Sequence, residues 1–219
     1  MNVDFSAVLI QWPMLLNGIA ITLIMTLIAT LFGIVLGIAC GWYRANGPRT
    51  LRWLIAGYVE LVRNTPYIIQ LFFIFFGLPA IGVQMSALTA SVLSLVLNLG
   101  AYASEIVRAG IENTPRSQIE AAESLALNRW QIFTRVVLPP ALGRVWPALV
   151  SQVIIIMLGS AVCGQISTEE LSFNANLIAS RTFRNFEAYI IAAAAYLMLA
   201  IAVRQILYWA GPRFIFRRR

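Results

Sequence analysis

The chain has 219 residues, of which 60% are hydrophobic and 11% charged, with a formal net charge of +7. That charged fraction is roughly half that of a soluble domain, too little to cover a core of this size in water. All 16 basic residues are arginines lying mainly between or after apolar runs, a placement that sets membrane orientation and excludes a basic face for nucleic acid. Histidine is absent, which removes the commonest metal ligand and general base.

Taken in chain order, Phe5 to Tyr43 carries no charge. No basic segment precedes this run, so it is expected to stay as a helix rather than act as a signal peptide. One crossing needs about 20 apolar residues, and a first span is predicted at 16–43, ending at Arg44, Arg49 and Arg52. Gly33 and Gly37 form a small-xxx-small pair for close helix packing. A second span is predicted at 53–76, with a kink at Thr65-Pro66 and a stop at Gly77-Leu78-Pro79. A third follows at 86–110. The stretch 112–144 is too charged to cross. A fourth span is predicted at 145–167 and a fifth at 188–209. Trp12, Trp42, Trp53 and Trp209 fall near span ends, as interfacial anchors do. Cys40 and Cys163 sit inside apolar runs and read as packing residues, not as a disulfide or metal site.

Arginine placement orients these spans. Five crossings gather Arg44, Arg49 and Arg52, the arginines of 112–144, and Arg217, Arg218 and Arg219 on one side, which the positive-inside rule assigns to the cytoplasm. The expected fold is therefore an all-α integral membrane domain over 1–219, with about five transmembrane helices, N-terminus periplasmic and C-terminus cytoplasmic.

The 112–144 stretch carries its own pattern. Ser117-Gln118-Ile119-Glu120 has the form of a capping box, and Asn128-Arg129-Trp130-Gln131 repeats it. Between them runs a helix-favouring octet from Glu120 to Leu127, and a second helix is expected to end at Leu138-Pro139-Pro140. A short cytoplasmic helix braced by another suits docking into a groove of a partner, although a plain surface loop has the same composition.

The run Glu120-Ala121-Ala122 through Val136-Val137-Leu138-Pro139 resembles the EAA loop of permease subunits of ATP-binding-cassette importers, whose pattern is EAA, three residues, Gly, nine residues, Ile-x-Leu-Pro. Every spacing matches; Ala126 stands at the Gly position and Val136 at the Ile. A left-handed turn at that Gly would cost Ala about 1–2 kcal/mol, and Leu127-Asn128 offers a place to shift the turn. Gly18 to Leu23, Tyr58 to Leu71, Ala101 to Ile111 and Ser180 to Tyr189 are similar to the helix signatures of the branch that carries polar amino acids, such as histidine and glutamine. One departure stands out: Gly159-Ser160-Ala161-Val162-Cys163 replaces a segment that in the family often carries Lys.

The resemblance implies a division of labour. Two permease subunits, identical or homologous, form the pathway in the bacterial inner membrane, and an external substrate-binding protein delivers the amino acid. A pair of cytoplasmic ATPases binds the coupling helix through Glu120, Ala121, Ala122, Leu125 and Ala126, with Pro139 closing the loop. ATP and Mg belong to that partner. This chain has no Gly-rich phosphate loop and no Lys to complete one, so no enzymatic role and no cofactor is expected of it.

For the pathway, Ser91, Ser94, Asn98, Tyr102 and Glu105 recur at helical spacing on one face of the third span. With that helix starting near Ser86, Asn98 lies about 18 Å deep and Glu105 about 10 Å further. Ionisable groups within a span normally face a polar interior. In this reading Glu105 meets the substrate's ammonium, common to all amino acids, and Asn98 hydrogen-bonds a polar group. The stripe equally fits a structural role, with Glu105 paired to Arg108 at i+3. Glu60 and Arg63, also at i and i+3, read as a structural or gating pair. An ion-coupled secondary amino-acid transporter is the alternative, although no inverted repeat is visible and five helices suit a dimeric pathway better.

Overall fold

The computed structural model describes residues 4–211 and residue 213, so the arginines at 217–219 used for orientation lie outside the described residues. The described part contains helices and no strand. A short α1 (Ser6–Leu9) precedes α2 (Trp12–Asn46), α3 (Arg49–Arg63), α4 (Tyr67–Ile81), α5 (Ala87–Glu112), α6 (Arg116–Ser124), α7 (Arg129–Ile166), α8 (Leu171–Thr182) and α9 (Asn185–Ala210). Helices α2, α5, α7 and α9 are each long and apolar enough to cross a membrane, four in all, or five where the bent pair α3–α4 counts as one broken span.

The most extensive packing is between α2 and α5. Glycines on one edge of α2 allow it: a Cβ on Gly37 would meet the Ala103 Cβ at 2.5 Å, and one on Gly33 would meet Leu99 at 2.8 Å. In a bilayer, where lipid is as apolar as leucine, such close backbone contact is what holds helices together. Two of the four core clusters among the described residues lie along this axis. One cluster, at the Arg-rich end, joins Val107 and Ile111 of α5 to Ala122 of α6 and Phe133 and Leu149 of α7. The other, toward the opposite end, joins Met25, Leu71, Leu95, Leu99 and Ile166.

The kink expected at Thr65-Pro66 is present, and two other local expectations change. The predicted second span is two helices bent by 111°, because Pro66 lacks an amide to donate and forces Thr65 out of the helical region. The prolines at 139 and 140 do not end a helix. A π-helical stretch, Ile132–Val137, runs into the segment Leu138–Gly159 with proline in its first turn, where a missing donor breaks no bond. Trp42 is not a lone interfacial anchor: its ring lies 5.3 Å from Phe133 and 6.0 Å from Trp130, tying α2 to α7. Trp12, Trp53 and Trp209 are exposed at helix ends.

Candidate functional site

The α5 stripe forms one row, but its members turn to different partners. Ser91 shares a 2.8 Å hydrogen bond with Thr168. Ser94 is fully buried, donates to the Ser91 carbonyl and meets the Tyr67 hydroxyl at 2.8 Å. Asn98 donates to Gln70 Oε1 at 2.9 Å. Tyr102 and Glu105 are half-buried. The Tyr102 ring carries the Arg63 guanidinium 5.6 Å from its centroid.

Those contacts make α4 and the break before it part of the same site. Gln70 Nε2 donates to the carbonyls of Val62 at 2.7 Å and Thr65 at 2.9 Å, on the far side of Pro66. One amide side chain thus satisfies carbonyls that the break frees, while its oxygen accepts from α5. Non-helical backbone at membrane depth requires such replacement partners. Glu60 and Arg63 are not paired with each other. Glu60 accepts from Asn64 at 2.9 Å, both side chains are exposed, and no ion pair joins Glu60 to Arg63 among the described residues.

At the Arg-rich end the charges form a chain from α2 across α5. Glu105 accepts from Arg44 and, at 2.8 Å, from Arg108; Arg108 reaches Glu112 at 2.7 Å. The expected Glu105–Arg108 pair is present, with Arg44 as an unforeseen third member. The side chains of Arg44 and Glu105 are only 13% and 19% exposed, so neither is readily matched by water. No group of three metal-ligating side chains occurs among the described residues.

Helix α6 stands at the same end. Its first residue follows Pro115, and Ser117 makes no cap bond, so the first of the two expected capping boxes does not form. The second does: Asn128 accepts from the Gln131 amide while Gln131 accepts from the Asn128 amide. Helix α6 closes with Leu127 N–H donating to the Ala122 carbonyl and Ala126 N–H to that of Glu123, the Schellman arrangement that needs a left-handed residue. Ala126 supplies it at φ 55°; the turn is not displaced to Asn128. Ala122 is buried against α7, Glu120 and Ala121 are exposed, and Leu125 is 76% exposed at the tip. Pro139 is half-buried within α7. Beneath α6 lies a cavity of about 560 Å³, lined by Trp42, Ile119, Glu123, Trp130 and Phe133 among others.

Sequence reasoning passed over a second polar centre at the opposite end. Glu170, with no exposed surface, caps α8 by accepting from the amides of Ser172 at 2.8 Å and Phe173 at 2.7 Å, and from the Tyr196 hydroxyl at 2.6 Å. Burial pushes its carboxyl above the ordinary carboxylate range, against the pull of these donors. Glu170 before an apolar run is a recognisable cap position, whereas its partner 26 residues on is not.

A chain of apolar helices around a charged break, with a short helix presented at one end, defines a multi-span membrane transport component. It matches the family described as binding-protein-dependent transport system inner membrane component over residues 33–216, and belongs to that family. Over 202 residues it is 34% identical to the arginine transport system permease protein ArtQ of Bacillus subtilis, covering 92% of each chain. Over 161 residues it is 34% identical to a putative glutamine transport system permease protein GlnP of Rickettsia typhi, covering 73% of this chain and 74% of the relative. Its fold superposes with a TM-score of 0.86 on a chain from the crystal structure of an amino acid ABC transporter with histidines, at 32% identity, covering 98% of this chain and all of that one.

Proposed function

We propose that this chain is the membrane-spanning subunit of an ATP-driven amino-acid importer, coupled to a cytoplasmic ATPase through α6. The observation that carries the coupling is the tip of α6. Glu120, Ala121 and Leu125 face outward from a helix whose other face is anchored on α7. A rigid helix with an exposed apolar end transmits displacement from a partner into α7 and α5. The Arg-rich end is then cytoplasmic, the α8 end meets the external binding protein, and the membrane is the bacterial inner membrane. A second permease subunit completes the pathway. Ser94, Asn98, Tyr102 and Glu105 form the α5 wall of that pathway. Ser94 and Asn98 brace the wall against α4, Tyr102 faces the passage, and Glu105 locks the wall to Arg44 of α2. ATP and Mg are held by the ATPase.

Purification of the tagged protein from its native membrane in mild detergent, with mass spectrometry of what co-elutes, tests this reading. An ATPase subunit is expected with the wild type and absent with Glu120→Lys, which reverses a charge on the docking face. Elution of the wild type alone, or with itself only, overturns it.

A further inference from the structure

We infer that Arg63, held over Tyr102 at the α3–α4 break, is the site that receives the substrate's carboxylate, with Glu60 one turn away receiving its ammonium; this rests on the importer reading above. The location is within the span. Tyr102 lies about 15 Å from the Arg-rich end of α5 at a rise of about 1.5 Å per residue, and since α5, with 26 residues, is longer than a hydrocarbon layer of about 30 Å, this places it inside the Arg-rich half of that layer. Helix α3 crosses α5 at that depth: the Tyr58 hydroxyl donates to the Leu97 carbonyl at 2.5 Å, and Arg63 stacks on Tyr102. Arg63 and Glu60 are both exposed there. A guanidinium at this depth does not face lipid, so the exposed side of the break faces the passage.

The state of each charge decides the role. The other arginine–carboxylate contacts of α2 and α5 are closed: Arg44 and Arg108 hold Glu105, and Arg108 holds Glu112. Arg63 has the Tyr102 ring and no carboxylate among the described residues. A guanidinium stacked on an aromatic face keeps its N–H edge available, and that edge matches a carboxylate with two parallel hydrogen bonds. Glu60 holds only an amide, that of Asn64. Its spacing from Arg63 places an acceptor and a donor on one helix edge, which complements the head group of a zwitterion.

This arrangement also sets a substrate class. Within the spans, the carboxylates among the described residues are Glu60, Glu105, Glu112 and Glu187. Glu105 and Glu112 are committed to arginines, and Glu187 is buried, accepting from the Asp4 amide and from Arg184. Glu60 is thus the one carboxylate of these spans, among the described residues, that no arginine holds, so once it has taken the ammonium a second substrate cation finds no second acid. The substrate is therefore an amino acid whose side chain carries no positive charge.

The test is equilibrium binding of labelled L-glutamine to the detergent-purified permease–ATPase complex without the binding protein. Unlabelled L-glutamine, its α-carboxamide analogue and L-arginine serve as competitors. The wild type is expected to prefer the free acid over the amide, and glutamine over arginine, by at least about tenfold each. In Arg63→Gln the acid-to-amide preference is expected to collapse toward unity, while Arg63→Lys retains part of it. An Arg63→Gln complex that remains monodisperse and still discriminates acid from amide overturns the inference, as does tighter binding of arginine than of glutamine. The importer reading is tested separately: if no amino acid stimulates ATP hydrolysis by the wild-type complex with its binding protein, that reading fails.

Discussion

At Ala126 a single methyl group decides how well the docking helix is closed. The residue is held at φ 55° by the two hydrogen bonds that end α6, a conformation that costs an L-residue about 1–2 kcal/mol and glycine almost nothing. Ala126→Gly is expected to raise the stability of the protein by about 1 kcal/mol, read as a higher midpoint of thermal unfolding in detergent; no rise would mean the turn is not strained. Glu105 is the opposite case. Removing its charge by Glu105→Gln leaves Arg44 nearly buried without a counter-charge, and is expected to destabilise by about 3 kcal/mol, with Arg44→Gln in the same chain restoring most of that stability. Restoration in the double variant marks an ionic lock, because a carboxylate kept only to touch substrate would leave the unfolding midpoint unchanged in either variant. Glu170 gives a pH signature. Its folded pKa is raised, so the folded state holds its proton at pH values where the unfolded chain has released it. Stability therefore falls as pH rises from about 4 through the raised folded value. Glu170→Gln removes the titrating group and should flatten that part of the stability–pH curve.

Among the elements, the broken α3–α4 pair and the α2–α5 contact matter most. Gln70 clamps the break through both ends of one amide. Gln70→Leu strands the Asn98 amide and the Val62 and Thr65 carbonyls, an expected destabilisation of about 2–3 kcal/mol, measurable as a lower unfolding midpoint. The kink at Pro66 was legible from the proline alone, and the α5 stripe from its period. What each stripe residue touches was not. Ser94 meets Tyr67 and Asn98 meets Gln70 only because the break turns α4 back along α5, and a period records a face, not its neighbour. The prolines at 139 and 140 misled for a related reason: whether proline ends a helix depends on whether its missing N–H falls where a donor is needed, and in the first turn of the segment Leu138–Gly159, just after the π-helical stretch 132–137, it is not.

For the whole molecule, the orientation is open to a direct measurement. With single cysteines introduced at Ser117 and Ser180 and an impermeant thiol reagent, position 180 should label in intact cells stripped of outer membrane. Position 117 should label only in inverted vesicles. The reverse pattern would put the docking helix outside. The apolar runs and their separating arginines determined by themselves that this chain lives in a bilayer, roughly where its helices cross, and that a short polar helix is displayed between the third and fourth spans. These follow from transfer of side chains between water and lipid, which acts residue by residue and is written locally. Only the tertiary structure decided that Glu105 binds Arg44, that Arg63 leaves Glu60 for Tyr102, and that Glu170 is sealed beneath Tyr196. Each of these depends on which helices lie side by side, a matter of shape and close packing between segments far apart in the chain.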